Sequence, residues 1–173
     1  MIKRDDAFKA VVKFSTPIIE NGKSVTSVGT GFFLAKDERH LFLITANHVT
    51  NNFNTSTVVS MAGKNKNVLH VPLNQLKTSV PIVSHPSADI SAIEIDIAIF
   101  NGLNAGVIIY PVSIIDSGKI NAISRDEELT SIGFPNGLGV GTLFEPFSFR
   151  SYPASNIVKN VSGMDGGYVS DVF

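Results

Sequence analysis

The stretch that decides the fold is Leu41-Phe42-Leu43-Ile44-Thr45-Ala46-Asn47-His48-Val49. Its first five residues are an apolar, β-branched run of strand type, and the four that follow leave the strand pattern at a histidine. Upstream lies Ser24–Leu34, a second strand candidate containing Gly29-Thr30-Gly31-Phe32-Phe33-Leu34, and the charged turn Lys36-Asp37-Glu38-Arg39 joins the two. A strand pair of this kind delivers His48 just past a strand end. There the sheet below can fix the imidazole while its outer edge faces a cleft.

Working outward, the same texture repeats. Short runs rich in Val, Ile, Thr and Phe alternate with Gly, Asn, Pro and Ser, and 14 glycines and 8 prolines leave little room for long helices. Strand candidates are Phe8–Ser15, Ser24–Leu34, His40–Thr45, Ser56–Met61, Asn67–Pro72, Ser79–Ser84 and Ile90–Ile95. Beyond them come Ala105–Ile109, Thr130–Phe134, Phe144–Arg150, Ala154–Val161 and Tyr168–Phe173. Many short strands with turn signals between them predict an all-β sandwich or barrel. Glu20-Asn21-Gly22 carries the Asn-Gly pair of a tight hairpin. Helical turns are expected only at Ala46–Thr50 and at Ser124–Leu129, where Ser124 and Glu127 have capping-box spacing.

Composition narrows the function classes. The chain has 173 residues, is 43% hydrophobic and is 17% charged, which suits one globular domain. Fourteen Lys plus Arg against 15 Asp plus Glu leave a formal net charge of −1, with no basic excess to follow a phosphate backbone, so a nucleic-acid reader is not expected. The chain has no cysteine, which removes disulfides, thiolate metal sites and a cysteine nucleophile together. Met1-Ile2-Lys3-Arg4-Asp5-Asp6 has no apolar segment of signal-peptide type. The longest apolar stretches, such as Val107 to Tyr110, fall short of the ~18–20 residues that span a bilayer. A soluble, cytoplasmic protein with no membrane partner is the expectation.

Two further segments carry chemistry. Ser84-His85-Pro86-Ser87-Ala88-Asp89-Ile90-Ser91-Ala92 places an aspartate where a loop turns into a strand, and Ser131-Ile132-Gly133-Phe134-Pro135-Asn136-Gly137 closes a strand with a Gly- and Pro-rich turn. Taken in order, Gly-Thr-Gly-Phe, Thr-Ala-x-His-Val, Asp-Ile-Ser and Ile-Gly-Phe-Pro-x-Gly resemble the trypsin-like serine peptidases, in particular their bacterial, cysteine-free branch.

The resemblance covers roughly residues 8–173. It implies two antiparallel β-barrels with an active site between them, the first over about 8–95 and a second, incomplete one over 105–173. It also implies a peptide or protein substrate, no cofactor and no metal, with His48 as general base and Asp89 as the residue that orients it. The chemistry agrees. A neutral imidazole accepts a hydroxyl proton near neutral pH, and a carboxylate fixes its tautomer and stabilises the imidazolium that forms.

Each residue has a plainer reading. A histidine after a strand is commonly structural. Asp96-Ile97-Ala98-Ile99 repeats the pattern at Asp89 and competes with it as orienter. His85 stands four residues before Asp89, a spacing two metal ligands can have, but two ligands alone make no site. His40 and His70 read as solvated strand residues, and Phe144, Phe147 and Phe149 as core or barrel wall. In an unrelated β scaffold the His48 and Asp89 matches would be coincidental, and a wide separation of the two side chains would favour that reading.

The nucleophile is the gap in the resemblance. No Gly-x-Ser-Gly string occurs, and the nearest match, Gly163-Met164-Asp165-Gly166-Gly167, has aspartate where serine would stand. Two explanations are open. Tyr168–Phe173 resembles the strand that leads into the serine loop, so that the sequence stops before the nucleophile; this spacing argument is favoured. Alternatively Asp165 has replaced the serine, giving a non-catalytic pseudoprotease or peptide-binding module. In the first case the second barrel lacks its last strands, and the C-terminal half is expected to be less ordered or completed by self-association with another chain.

Overall fold

A computed structural model describes residues 4–65, 67–115 and 128–152. The expected strands Ala154–Val161 and Tyr168–Phe173, residues 124–127 of the expected helical turn, and Asp165 lie outside the described residues.

The fold is built on one long hairpin. β1 (Val11–Glu20) and β2 (Lys23–Ala35) pair antiparallel from Val11↔Phe32 to Glu20↔Lys23. The turn between them has φ 51° at Asn21 and φ 75° at Gly22, the double left-handed conformation that Asn-Gly adopts most readily. β3 (Leu41–Thr45) adds to β2, and β4 (Val58–Ala62) adds to β1. Outside these, β5 (Val68–Pro72) pairs with β4, β7 (Ser91–Ile95) with β3, and β6 (Val83–Ser84) with β7, giving the order β5-β4-β1-β2-β3-β7-β6. β8 (Tyr110–Pro111) lies parallel to the end of β2.

Alternation puts one face of this sheet inside. Leu41, Leu43 and Thr45 of β3 and Ser91, Ile93 and Ile95 of β7 are buried while the residues between them are half-buried. Of these, Leu41, Leu43, Ile93 and Ile95 join Val12, Phe14, Phe33, Val59, Met61 and Leu76 in the main core. Each such apolar side chain contributes roughly 1.5–3 kcal/mol when fully buried. The two ends of the sheet approach one another. The segment after β5 meets β7 at an isolated bridge, Lys77↔Ile95, with Asp96 N–H donating to the Leu76 carbonyl (2.9 Å) and Thr78 N–H to that of Glu94 (3.0 Å). No ladder closes a barrel among the described residues.

A separate two-stranded sheet pairs β9 (Leu129–Gly133) with β10 (Phe147–Ser151). It joins the hairpin through Phe134 N–H to Thr30 Oγ1 (3.1 Å), Lys13 Nζ to the Gly137 carbonyl (2.7 Å), and a small cluster of Val11, Ala62, Phe134 and Phe144. The molecule is therefore mostly β and antiparallel. None of the helices among the described residues is long and apolar enough to cross a membrane.

Several elements differ from the sequence expectation. Residues 4–10 form a helix, α1 (Arg4–Ala10), and the strand begins at Val11 rather than Phe8. Lys9 in its last turn complements the helix dipole, whereas the β-branched run starts only at Val11. Only Val83–Ser84 of Ser79–Ser84 is strand, and Pro81 supplies no N–H to extend it. Residues 105–109 run outside any strand, held by Gly106 N–H to the Ala62 carbonyl and Ile108 N–H to that of Lys9.

The short helix expected at 46–50 is α2 (Asn47–Thr50), and α1 is joined by two further helices that the sequence pattern does not predict, α3 (Leu73–Leu76) and α4 (Ile97–Gly102). Phe144 is core, but Phe147 and Phe149 are 44% and 41% exposed, contrary to their reading as wall; two strands offer no second layer to cover them among the described residues.

Candidate functional site

The register of the sheet brings the two expected site residues together. β3 and β7 are antiparallel with Thr45 opposite Ser91, so the chain leaves β3 and enters β7 at the same sheet edge. His48 lies three residues after Thr45 and Asp89 two residues before Ser91. Thr45 is buried, and its hydroxyl donates to the Thr30 carbonyl (2.8 Å), which anchors the end of β3 to β2.

Past Thr45 the chain turns into α2, one helical turn whose Val49 faces inward against Gly29. A Cβ added at Gly29 would stand 2.3 Å from Val49 Cγ1, so the glycine is what lets α2 seat closely on β2. His48, on the opposite side of this turn, has a side chain 73% exposed.

Asp89 holds His48 at two points. Asp89 Oδ1 accepts the His48 backbone N–H (2.8 Å), and Asp89 Oδ2 meets His48 Nδ1 at 2.5 Å. The His48 ring and backbone bonds, joined by the Asn47 amide, hold the Asp89 carboxyl below its usual range, against a smaller opposing effect of burial. An ionised Asp89 has only acceptors, so Nδ1 carries the proton and a neutral ring presents the Nε2 lone pair outward. That is the arrangement a general base requires.

The competing residues have other work. Asp96 caps α4, its Oδ1 accepting the Ile99 N–H at 3.1 Å. His85 turns Nδ1 onto its own loop, accepting from Ser87 N–H (3.2 Å) and Ala88 N–H (2.9 Å). His70 on β5 pairs with Ser60 Oγ of β4, and exposed His40 pairs with Asp37 in the β2–β3 turn. Among the described residues no serine hydroxyl hydrogen-bonds the His48 ring.

One group escaped the sequence reading. Asn47 Oδ1 accepts from Ser84 Oγ (2.8 Å) and Ser91 Oγ (3.2 Å), and the two hydroxyls lie 3.0 Å apart. Thr50 Oγ1 joins Ser91 Oγ at 3.1 Å. The available signal was a pair of serines bracketing the Asp89 loop and an amide directly before the histidine. A cleft lined by Phe8, Lys9, Gly63, Lys64, Phe144 and Glu145 contains neither His48 nor Asp89. Set against known proteins, the chain matches no family model and no curated protein.

Proposed function

We propose that this is a trypsin-like serine endopeptidase domain in which His48 is the general base and Asp89 its orienter. One observation carries the reading: a carboxylate drawn from 41 residues away grips both the backbone and the ring of a histidine, leaving Nε2 free. In this reading a serine hydroxyl attacks the scissile carbonyl carbon while its proton passes to His48 Nε2. His48 then protonates the leaving amine, and water repeats the sequence on the acyl-enzyme. Peptides or proteins are the substrates, and no metal or organic cofactor takes part. In this reading residues 8–95, with β1 to β7, would make up the first barrel, and β9 and β10 would belong to the second. The absence of cysteine suits a reducing compartment such as the cytoplasm.

No Gly-x-Ser-Gly string occurs in residues 1–173, so the reading is tested through His48 rather than through a chosen serine. The protein is expected to react with a fluorophosphonate probe at one serine, and to lose that reaction with His48→Ala. Labelling that survives the loss of His48 would overturn the reading.

A second reading is favoured by Gly163-Met164-Asp165-Gly166-Gly167, which has the glycines of a nucleophile loop around an aspartate. It makes the protein a non-catalytic peptide-binding module. An Asp165→Ser variant of the 173-residue chain that gains probe labelling at position 165 would establish this reading; continued silence supports the first.

A further inference from the structure

We propose that Asn47 is a positioning residue for the His48–Asp89 pair, gathering with its side-chain carbonyl both ends of the loop that carries Asp89. The proposal rests on the reading of that pair as base and orienter. Ser84 and Ser91 are opposite one another in the β6–β7 register, and residues 85–90 form the loop between them. Both hydroxyls donate to the one oxygen, Asn47 Oδ1, at 2.8 and 3.2 Å. Asn47 immediately precedes His48, so the amide that sets the loop's base is covalently joined to the residue the loop must reach.

Inside the loop, every directional bond serves its closure. His85 N–H donates to the Ile90 carbonyl (2.8 Å), Ile90 N–H to that of Ala88 (2.8 Å), and His85 Nδ1 accepts the Ser87 and Ala88 amides. Ser91 Oγ belongs to a fully buried residue, and an apolar neighbour in place of Asn47 would strip it of an acceptor there. Asp89 itself is exposed, at 56% of its side chain, and no apolar packing could substitute for these bonds in aiming it. A short polar web thus does the work that burial does elsewhere in the sheet.

The test compares wild type with Asn47→Leu, which removes the acceptor, Asn47→Asp, which keeps acceptor oxygens, and Ser84→Ala, which removes the shorter donor. Asn47→Leu is expected to abolish the His48 Nδ1–H signal in nitrogen-15 spectra, as Asp89→Asn does. It is also expected to speed amide exchange at Ala88 and Ile90 by at least about tenfold. Asn47→Asp should restore the slow exchange. Ser84→Ala should reproduce part of the loss and add little to Asn47→Leu, because both break the same tie.

In the natural polypeptide, Asn47→Leu is expected to lower kcat on a peptide substrate by about tenfold or more with KM little changed. An Asn47→Leu protein whose His48 signal and loop exchange match wild type would overturn the proposal; if that variant does not fold, the same outcome in Ser84→Ala does so. The two claims separate cleanly. If wild type hydrolyses no peptide yet Asn47→Leu frees Asp89 from His48, the peptidase reading fails and the positioning role stands. If hydrolysis depends on His48 but these variants leave kcat and the His48 signal untouched, the positioning role fails alone.

Discussion

Among the described residues there are two histidine–aspartate contacts, close in length, and they differ in almost everything else. His40 Nδ1 meets Asp37 Oδ1 at 2.8 Å across three residues of one turn, while His48 Nδ1 meets Asp89 Oδ2 at 2.5 Å across 41 residues of chain. Asp37 also accepts the amides of Arg39 and His40, so its carboxylate would organise that turn with or without the imidazole. Asp89 reaches His48 only because β3 and β7 are in register, Gly29 admits Val49, and Asn47 draws in both ends of the loop. A local pair of this kind costs little to form and carries little information. A long-range pair that the whole sheet conspires to assemble, on an exposed edge where it adds little to the core, points to chemistry.

Substitutions at the two aspartates should separate the pairs most sharply. In the natural polypeptide, Asp89→Asn is expected to lower kcat by about 10³–10⁴-fold, the effect of leaving a catalytic imidazole in the wrong tautomer. Asp37→Asn should leave kcat unchanged within experimental error. Steady-state hydrolysis of a peptide substrate checks both, and comparable losses at the two sites would erase the distinction.

The next effect tests the sheet that carries the site against the smaller one. Leu43 is fully buried in the main core, and Leu43→Ala should cost about 2–5 kcal/mol in chemical denaturation. Phe149 on β10 is 41% exposed, and Phe149→Ala should cost no more than about 0.5 kcal/mol. A large loss at Phe149 would mean that β9–β10 supports an apolar layer of its own.

Gly29→Ala comes next. The added methyl would meet Val49 at 2.3 Å, and the adjustment should cost about 1–3 kcal/mol while shifting the His48 resonances and sparing those of His40. The smallest effect is on acid stability. Both aspartates have carboxyl pKa values lowered from 3.8, Asp89 chiefly by the His48 ring and Asp37 chiefly by the Arg39 amide. A lowered folded-state value stabilises the fold above about pH 3.8, and that stability is lost as pH falls through the lower value. Melting temperature followed below pH 4 should therefore decline less steeply in either Asp→Asn variant than in wild type.

Much of this was legible in the sequence, for identifiable reasons. Leu41–Thr45 is a short apolar run that gives way to Ala46-Asn47-His48, so both the strand and its end were readable. Asn21-Gly22 announced its own turn. The aspartate was open between Asp89 and Asp96, because both follow the same Asp-apolar-small pattern; only the capping bond from Ile99 and the β3–β7 register separate them. α1 was obscured by Phe8, which suits a strand as well as a helix, and α3 and α4 are too short to set up a period. The Asn47 web was out of reach because it joins residues 37 and 44 positions apart through side chains that are unremarkable in isolation.

The most direct test of the central claim is fluorophosphonate labelling of the polypeptide made from the natural coding sequence, read beside its His48→Ala variant. The account predicts one labelled serine in the wild type and none in the variant. A wild type that takes up no probe, or labelling that survives the loss of His48, would contradict it.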